Sequence, residues 1–157
     1  LQQVPKTDLW YLTLEIPVLD ECPVSCDPRL VHRLVGVLLH NALHYTPTGG
    51  RIEVRVLSRG GDRVLEVEDS GIGIPPEERD RIFERFYRGT AARQHAPEGS
   101  GLGLAIASWI AQKHGATIRV GEGHLGGALF RVLFPRPERA NNRRDPSSNT
   151  ASRAGQR

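Results

Sequence analysis

The order of the apolar patterns constrains the fold of this chain more than any other feature of its sequence. Apolar residues with helical spacing begin after Asp27, a good N-cap residue, with Pro28 at the first helical position. This pattern ends at the turn 47–50. A second helical pattern covers 102–114 and stops at Gly115, a good terminator. Antiparallel pairs of strand patterns follow both helices, so we predict a two-layer α/β sandwich, a mixed sheet with the helices on one face.

Alternation of apolar and polar residues predicts five strands, at 10–16, 52–56, 65–67, 118–120 and 130–134. The second and third flank Gly60 and Gly61, a hairpin signal, and the last two form a further antiparallel pair. In the first strand the residues expected on the buried side are Trp10, Leu12, Leu14 and Ile16.

The stretch between the two halves of this pattern is predicted to be mostly loop. A short helix is expected around 77–86, and residues 89–100 are polar and have no periodicity. The apolar face of the second long helix is expected to include Trp109.

Length and charge indicate one folded domain at 1–135. The 157 residues with 38% hydrophobic content suffice for one core, and no apolar run approaches the ~18 residues of a membrane span. Residues 136–157 carry a net charge of +4 and are predicted to be a disordered basic tail, so no nucleic-acid partner is expected.

The cysteines and the start of the chain give two further expectations. Cys22 and Cys26 are too few for a structural zinc site or a disulfide scaffold, which favours reduced thiols in a cytoplasmic domain. The chain contains no methionine and opens at Leu1 in mid-pattern, so we expect it to be a piece of a longer protein.

Asn41 continues the apolar stripe of the first helix, following Leu34 and Leu38 at helical spacing. A buried amide without a partner costs about 1–3 kcal/mol, so this side chain needs one. The partner is either a neighbouring backbone carbonyl or a metal ion or ligand.

Asp69 continues the inward phase of Leu65 and Val67, which predicts a carboxylate at the end of a strand on its buried side. Gly71 and Gly73 follow, and they allow a sharp turn and close backbone approach. Asp69 either caps this turn or accepts a hydrogen bond from an amino group such as that of a purine.

Residues 99–104, with the sequence GSGLGL, are a glycine-rich turn that runs directly into a helix. A helix N-terminus of this kind presents unpaired N–H groups to phosphate oxygens. No strand pattern precedes the glycines and no Gly-Lys-Ser/Thr follows them, which disfavours both the Rossmann fold and the P-loop.

Taken in this order, the elements resemble the catalytic ATP-binding domain of sensor histidine kinases, a Bergerat-type fold also found in gyrase, mismatch-repair ATPases and heat-shock chaperones. LLHNALHYTPTGG at 38–50 resembles the family's N box, and EDSGIGIP at 68–75 resembles its first glycine box. RIFERFYRG at 81–89 resembles the phenylalanine box, and GSGLGLAIASWIAQKHG at 99–115 the second glycine box. The resemblance covers about residues 9–135.

The resemblance implies residues for the adenine end of an ATP site. Asp69 would accept a hydrogen bond from the adenine amino group, and Tyr45 would pack against the base. Gly71 and Gly73 would let the loop approach the base, with Ile74 as an apolar wall.

It also implies residues for the phosphate end. Asn41 would coordinate the Mg²⁺ that bridges the ATP phosphates, and Arg88 would reach the γ-phosphate. Residues 89–98 would form a mobile lid anchored by Phe83 and Phe86. The phosphates would be held mostly by backbone N–H groups of Ser100, Gly101, Leu102, Gly103 and Leu104.

Two positions depart from the family pattern. Val37 stands where the kinases usually carry an asparagine and the hydrolytic branches a glutamate, so no base for hydrolysis is present there. His44 stands where the family favours a lysine for the phosphates, and an imidazole is charged only part of the time near neutral pH.

The resemblance implies that the γ-phosphoryl group of Mg-ATP is transferred to a histidine on a separate dimerisation domain, and that a response-regulator receiver domain is a further partner. None of the six histidines precedes an acidic residue, as the acceptor usually does, so the acceptor is expected outside this chain. The parent is expected to be a homodimer and an inner-membrane sensor, the fragment itself a monomer without membrane contact. Two alternatives remain: a non-catalytic nucleotide-sensing or interaction module, and a serine kinase of the anti-sigma-factor type.

Overall fold

The computed structural model describes residues 12–21, 23–95 and 99–135. The predictions for Trp10, Cys22, residues 96–98 and the tail 136–157 therefore lie outside the described residues. In chain order the elements are β1 Thr13–Leu19, α1 Pro28–Tyr45, β2 Arg51–Arg59, β3 Asp62–Asp69, α2 Thr90–His95, α3 Gly103–Lys113, β4 Thr117–Glu122 and β5 Ala128–Phe134. Two short 3₁₀ turns, Pro76–Glu78 and Arg81–Phe83, lie between β3 and α2.

The five strands form one mixed sheet in the order β1-β2-β3-β5-β4. β1 is parallel to β2, and the other three neighbouring pairs are antiparallel. α1 and α3 pack on one face of this sheet and against each other. The predicted two-layer α/β sandwich is confirmed.

The start of α1 agrees with its predicted cap. The Asp27 carboxylate accepts the backbone N–H groups of Arg29 and Leu30 at 2.9 and 3.4 Å, and Pro28 is the first helical residue. The Asp27 N–H in turn donates to His114 Nε2 at 3.0 Å, which joins the start of α1 to the end of α3.

The core lies between the two long helices and the sheet. Its large, fully buried aliphatic side chains are Leu34 and Leu38 of α1, Ile52 and Val67 of the sheet, Ile110 of α3 and Val132 of β5. Burying each such side chain contributes about 1.5–3 kcal/mol, so these residues supply much of the free energy that holds the two layers together.

Three residues predicted to be buried are exposed. Leu14 and Ile16 are more than half exposed, because β1 is an edge strand at the side of the sheet away from α3. Trp109 is also exposed, and the Lys113 ammonium lies 5.6 Å from its ring centre. The buried residues of α3 are Ile110 and two small residues, Ala107 and Ala111.

The prediction of one helix over 77–86 is wrong as well. The chain there makes two 3₁₀ turns, closed by Glu78 N–H to Pro75 O at 3.0 Å and Glu84 N–H to Arg81 O at 2.9 Å. Phe86 then adopts a left-handed φ of 64°, which a continuing helix cannot contain.

Residues 90–95, within the stretch predicted to lack periodicity, form the short helix α2. None of the residues of α2 is fully buried. Within the described ranges, no helix is both long and apolar enough to span a bilayer.

Candidate active site

A cavity of ≈ 240 Å³ lies between α1, the loop after β3, α2 and the start of α3. Ile82 and Phe130 of the core form part of its apolar lining. Ten of the residues singled out from the sequence line it: Asn41, His44, Tyr45, Asp69, Gly73, Ile74, Arg88, Ser100, Gly101 and Leu104. The fold therefore brings together segments that are more than sixty residues apart in the sequence.

Asp69 ends β3 and is almost completely buried, as predicted. Its Oδ1 accepts the N–H groups of Gly71 at 2.8 Å and Ala128 at 3.2 Å, while its Oδ2 makes no hydrogen bond with any described residue. Burial raises the pKa of this carboxyl, the two N–H donors act in the opposite direction, and the charge of Glu68 adds to the rise. Asp69 therefore caps its turn with one oxygen and leaves the other available at the cavity.

Asn41 is half-buried on the cavity side of α1. Its side chain makes no hydrogen bond with another residue in the described part of the chain. The first of the two partners considered for it, a neighbouring backbone carbonyl, is therefore absent there. An amide oxygen at this cavity is a suitable ligand for a hard cation such as Mg²⁺.

Gly71 and Gly101 are required by close backbone contacts. A Cβ at Gly71 would collide with the Tyr45 carbonyl oxygen, so the loop after β3 packs directly on the end of α1. Gly101 has a φ of 66° and lies against the backbone of Phe86, whose N–H donates to the Gly101 carbonyl at 2.9 Å.

The turn before α3 lines the cavity with Gly99, Ser100 and Gly101. Ser100 Oγ accepts the N–H of Leu102 at 3.3 Å, and the side chain of the N-cap residue Leu102 makes no capping hydrogen bond. Leu102 and Gly103, and also Gly71, do not line the cavity themselves. This helix has eleven residues, long enough for its N-terminus to attract an anion.

Arg88 lies between this turn and α2. Its guanidinium is 3.4 Å from the position that a Cβ on Gly99 would take, and its Nη2 donates to the Ala92 carbonyl at 3.4 Å. The following residue, Gly89, packs on the Glu78 carboxylate, which accepts the Thr90 N–H at 3.0 Å. These contacts hold a cationic side chain at the rim of the cavity.

His44 is exposed at the same rim and is oriented by other rings. It stacks on His40 with 5.8 Å between ring centres and lies edge-on to Tyr45 at 5.0 Å. Tyr45 also lies 6.0 Å from His95 of α2.

The two phenylalanines predicted to anchor the lid differ. Phe83 packs against the core, but the Phe86 side chain is 72% exposed and cannot anchor anything by burial. Phe86 holds the glycine turn through its backbone instead, because its φ turns the side chain outward. Val37 packs 3.5 Å from the Cβ position of Gly103, at the contact between α1 and α3.

Sequence reasoning missed several residues at the cavity. His40 could have been found, because it lies one turn before His44 on the same helix face. Glu78 and Ala128 carried no local signal, since their contacts with Thr90 and Asp69 depend on the tertiary structure.

Comparison with known proteins agrees with this geometry. The family described as "Histidine kinase-, DNA gyrase B-, and HSP90-like ATPase" matches residues 26–138. The sensor histidine kinase RppB of Synechocystis is 43% identical over 106 residues, which are 67% of this chain and 23% of RppB. The chain thus spans about a quarter of the length of the curated relatives it matches.

Two solved structures are similar in fold. The mycobacterial sensor histidine kinase MprB has a TM-score of 0.71 and 36% identity, over 80% of this chain and 85% of that one. Full-length ShkA, solved in complex with AMPPNP, has a TM-score of 0.66 and 28% identity over 79% of this chain and 25% of that one. The chain therefore belongs to the histidine kinase-, DNA gyrase B- and HSP90-like ATPase family, in which it corresponds to the catalytic ATP-binding domain of sensor histidine kinases.

Proposed function

We propose that this domain binds Mg-ATP in the cavity and transfers the γ-phosphoryl group to a histidine on a separate dimerisation domain. The observation that carries the proposal is the meeting of a buried carboxylate, an unpaired amide and a helix N-terminus in one cavity. Asp69 and the turn at 99–104 belong to different elements that line it, and we assign the base to one and the phosphate chain to the other.

The adenine end is proposed at Asp69, whose Oδ2 accepts the exocyclic amino group. Gly73 adopts a φ of 69°, which is unstrained only for glycine, and lets the loop approach the base. Ile74, Tyr45 and Phe130 supply apolar contacts for the ring.

The phosphate end is proposed at the start of α3. N–H groups of Ser100 to Leu104 and the helix dipole stabilise phosphate oxygens, and Arg88 balances the charge that spreads over the γ-phosphoryl group in a loose transition state. Asn41 has the free amide that a Mg²⁺ ligand requires, and the ion would neutralise phosphate charge. With valine at position 37, the domain has no base there to activate water.

A separate dimerisation domain supplies the acceptor histidine in this proposal, and a receiver domain takes the phosphoryl group from it. The relatives are named as whole sensor histidine kinases, and this chain spans about a quarter of them. The folded domain is proposed to occupy 1–135, with 136–157 as a separate tail.

Calorimetry with Mg²⁺ and AMPPNP tests the site. We expect Asn41→Ala and Asp69→Asn to weaken binding by at least the ~1–3 kcal/mol of a lost buried polar partner. Asp69→Asn separates the ligand contact from the structural one, because the amide oxygen can still accept the N–H groups of Gly71 and Ala128. Unchanged affinity in both variants would show that the assignment of the site is wrong.

Labelled ATP tests the reaction. The domain alone should incorporate almost no label, and a dimerisation domain from its own parent should acquire acid-labile, base-stable phosphate. Acid-stable label on serine would favour a kinase of the anti-sigma-factor type, and nucleotide binding without any transfer would favour a non-catalytic sensing module.

A further inference from the structure

Three glutamates are buried on the face of the sheet that carries no helix. Glu53 of β2 and Glu66 and Glu68 of β3 are only 5%, 3% and 0% exposed. Carboxylates are almost never this buried unless they are paired. What covers them is a set of basic side chains and the loop 123–127 between β4 and β5.

Two arginines pair with these glutamates. Arg55 donates to Glu53 at 2.7 Å, Glu66 at 2.9 Å and Glu68 at 2.5 Å, and Arg131 Nε donates to Glu66 at 2.7 Å. Three carboxylates against two guanidinium groups leave the cluster with one unbalanced negative charge.

His124 lies over this cluster from the loop. Its Nδ1 is 3.0 Å from Glu68 Oε2, and its Nε2 is 3.4 Å from Glu53 Oε2. A neutral imidazole has one N–H, so one ring nitrogen would direct a lone pair at a carboxylate. The imidazolium form places a positive charge at ion-pair distance from both glutamates, and so supplies the missing positive charge.

Of the other charged groups on this face of the sheet, Arg51 alone among the described residues makes a further ion pair with a glutamate of the cluster. From β1, Glu15 pairs with Arg51, which also reaches Glu53 at 3.3 Å, so the two add one charge of each sign. Arg119 of β4 is exposed and is the register partner of Arg131.

The same loop is held from the opposite face by Asp69. Glu68 Oε1 accepts the Leu125 N–H at 2.7 Å on the open face. On the helix face, Asp69 O accepts the Gly127 N–H at 3.1 Å, and Asp69 Oδ1 accepts that of Ala128 at 3.2 Å. Two consecutive residues of β3 thus bind the two ends of one loop.

Two glycines of the loop lie in close contact with Glu68 and Asp69. A Cβ on Gly123 would collide with the Glu68 carboxylate, and one on Gly127 would collide with Asp69 and the Gly71 N–H. The loop therefore cannot shift on one face of the sheet without disturbing its contact on the other.

We propose that His124 is a positioning residue for nucleotide binding: in its charged form it attracts Glu53 and Glu68, holds the loop 123–127 against them and so fixes the N–H donors that orient Asp69. The proposal rests on the proposed adenine contact of Asp69. Loss of the proton from His124 leaves a lone pair facing a carboxylate and a net negative charge in the cluster. The loop then loosens, and nucleotide affinity falls as the pH rises.

The test compares His124→Gln with the natural chain in calorimetry with Mg²⁺ and AMPPNP from pH 6 to 8.5. At pH 6 the natural chain should bind AMPPNP about fivefold more tightly than the variant, which is the low end of typical coupling between sites. This difference in affinity should disappear by pH 8.5. Titration of the nucleotide itself cancels in this difference. His124 is 60% exposed, so the variant is expected to fold.

A matched control is His32→Gln, which removes an exposed imidazole of α1 outside both the cavity and the cluster. Its affinity for AMPPNP should equal that of the natural chain at every pH. His124→Lys keeps a positive charge at this position over the whole range. It should therefore bind AMPPNP more tightly than His124→Gln at every pH, including pH 8.5.

A second measurement needs no nucleotide. Backbone amide resonances of Leu125, Gly127 and Ala128 should shift together with the titration of the His124 ring, and should be insensitive to pH in His124→Gln. If both proteins bind AMPPNP with parallel pH profiles, or these amides do not follow the ring, the proposal is wrong while the function stands. Failure of the natural chain to bind nucleotide at any pH would contradict the function instead, and the amide titration would still decide the role of His124.

Discussion

Asp69 and Asn41 illustrate how single residues combine structure and function in this domain. Asp69 uses one oxygen to join its own turn to β5 and leaves the other without a partner among the described residues. Burial raises the pKa of this carboxyl, so the ionised form costs stability in the folded state. Asn41 similarly directs an unpaired amide at the cavity. Both arrangements are unfavourable without a ligand, which is a reason to assign them to binding.

His44 gives a prediction that separates a phosphate contact from a purely aromatic one. Lysine stays charged up to pH 8, whereas an imidazole loses most of its charge above neutral pH. We expect His44→Lys to bind AMPPNP more tightly than the natural chain at pH 8, by less than about fivefold, because exposed ion pairs contribute ~0.2–1 kcal/mol. The difference should disappear by pH 6.

The structure supplies the competing interpretation for His44. Its stacking on His40 and its edge contact with Tyr45 hold the ring at the rim without any phosphate. Calorimetry from pH 6 to 8 at fixed Mg²⁺ distinguishes the two, since parallel curves for the natural chain and His44→Lys would mean that the ring serves only as an aromatic contact.

α2 and α3 differ in how firmly they are held, although both border the cavity. α3 buries Ala107, Ile110 and Ala111, whereas α2 buries none of its residues. α2 is connected mainly by polar contacts, among them Thr90 N–H to Glu78 at 3.0 Å and Arg93 Nε to the Arg88 carbonyl at 2.8 Å. Elements with little buried apolar surface open locally at low free energy.

Hydrogen exchange should therefore distinguish these helices. Without nucleotide, the amides of α2 should exchange much faster than those of α3, and Mg²⁺ with AMPPNP should slow the exchange of α2. The backbone amides of the buried α1 residues Leu34 and Leu38 serve as an internal control, and their exchange rates should not change when nucleotide binds. Equal, strong protection of α2 with and without nucleotide would contradict a role as a lid.

For the protein as a whole, the cluster on the open face of the sheet links stability to pH. Burial alone would raise the pKa of Glu66 and Glu68, but hydrogen bonds outweigh it and lower both values. For Glu66 the donors are Arg131 and Arg55; for Glu68 they are the Leu125 N–H and Arg55, with the charge of His124 adding to the effect. A carboxyl with a lowered pKa stabilises the fold above its ordinary value and loses this contribution as the pH falls through the lowered pKa.

We accordingly expect the free energy of unfolding, measured with urea, to decrease as the pH falls below the ordinary glutamate value of 4.5. Glu68→Gln should be less stable at pH 7 and should show a shallower decrease, because one of the titrating groups is absent. Glu77→Gln, which changes an exposed residue of a 3₁₀ turn, is the matched control and should keep the natural slope. Equal slopes in Glu68→Gln and the natural chain would show that the cluster does not control acid stability.

Much of this fold was predictable because its information is local. The cap at Asp27, the end of α3 at Gly115 and the hairpin after Gly60 depend on a few neighbouring residues, and the structure confirms each of them. The order of these elements was enough to predict the two-layer sandwich, whereas the resemblance to the family implied that the N box and both glycine boxes form one site.

The remainder depended on contacts between distant residues, which the sequence alone did not determine. Leu14 and Trp109 have apolar patterns but are exposed, because Leu14 lies on an edge strand and Trp109 lies on the side of α3 where only Lys113 contacts its ring among the described ring contacts. The cluster of Glu53, Glu68 and His124 had no sequence signal either, since register and a loop contact bring together residues more than seventy positions apart. Local spacing specifies helices and strands, but only the closed sheet decides which charges become buried neighbours.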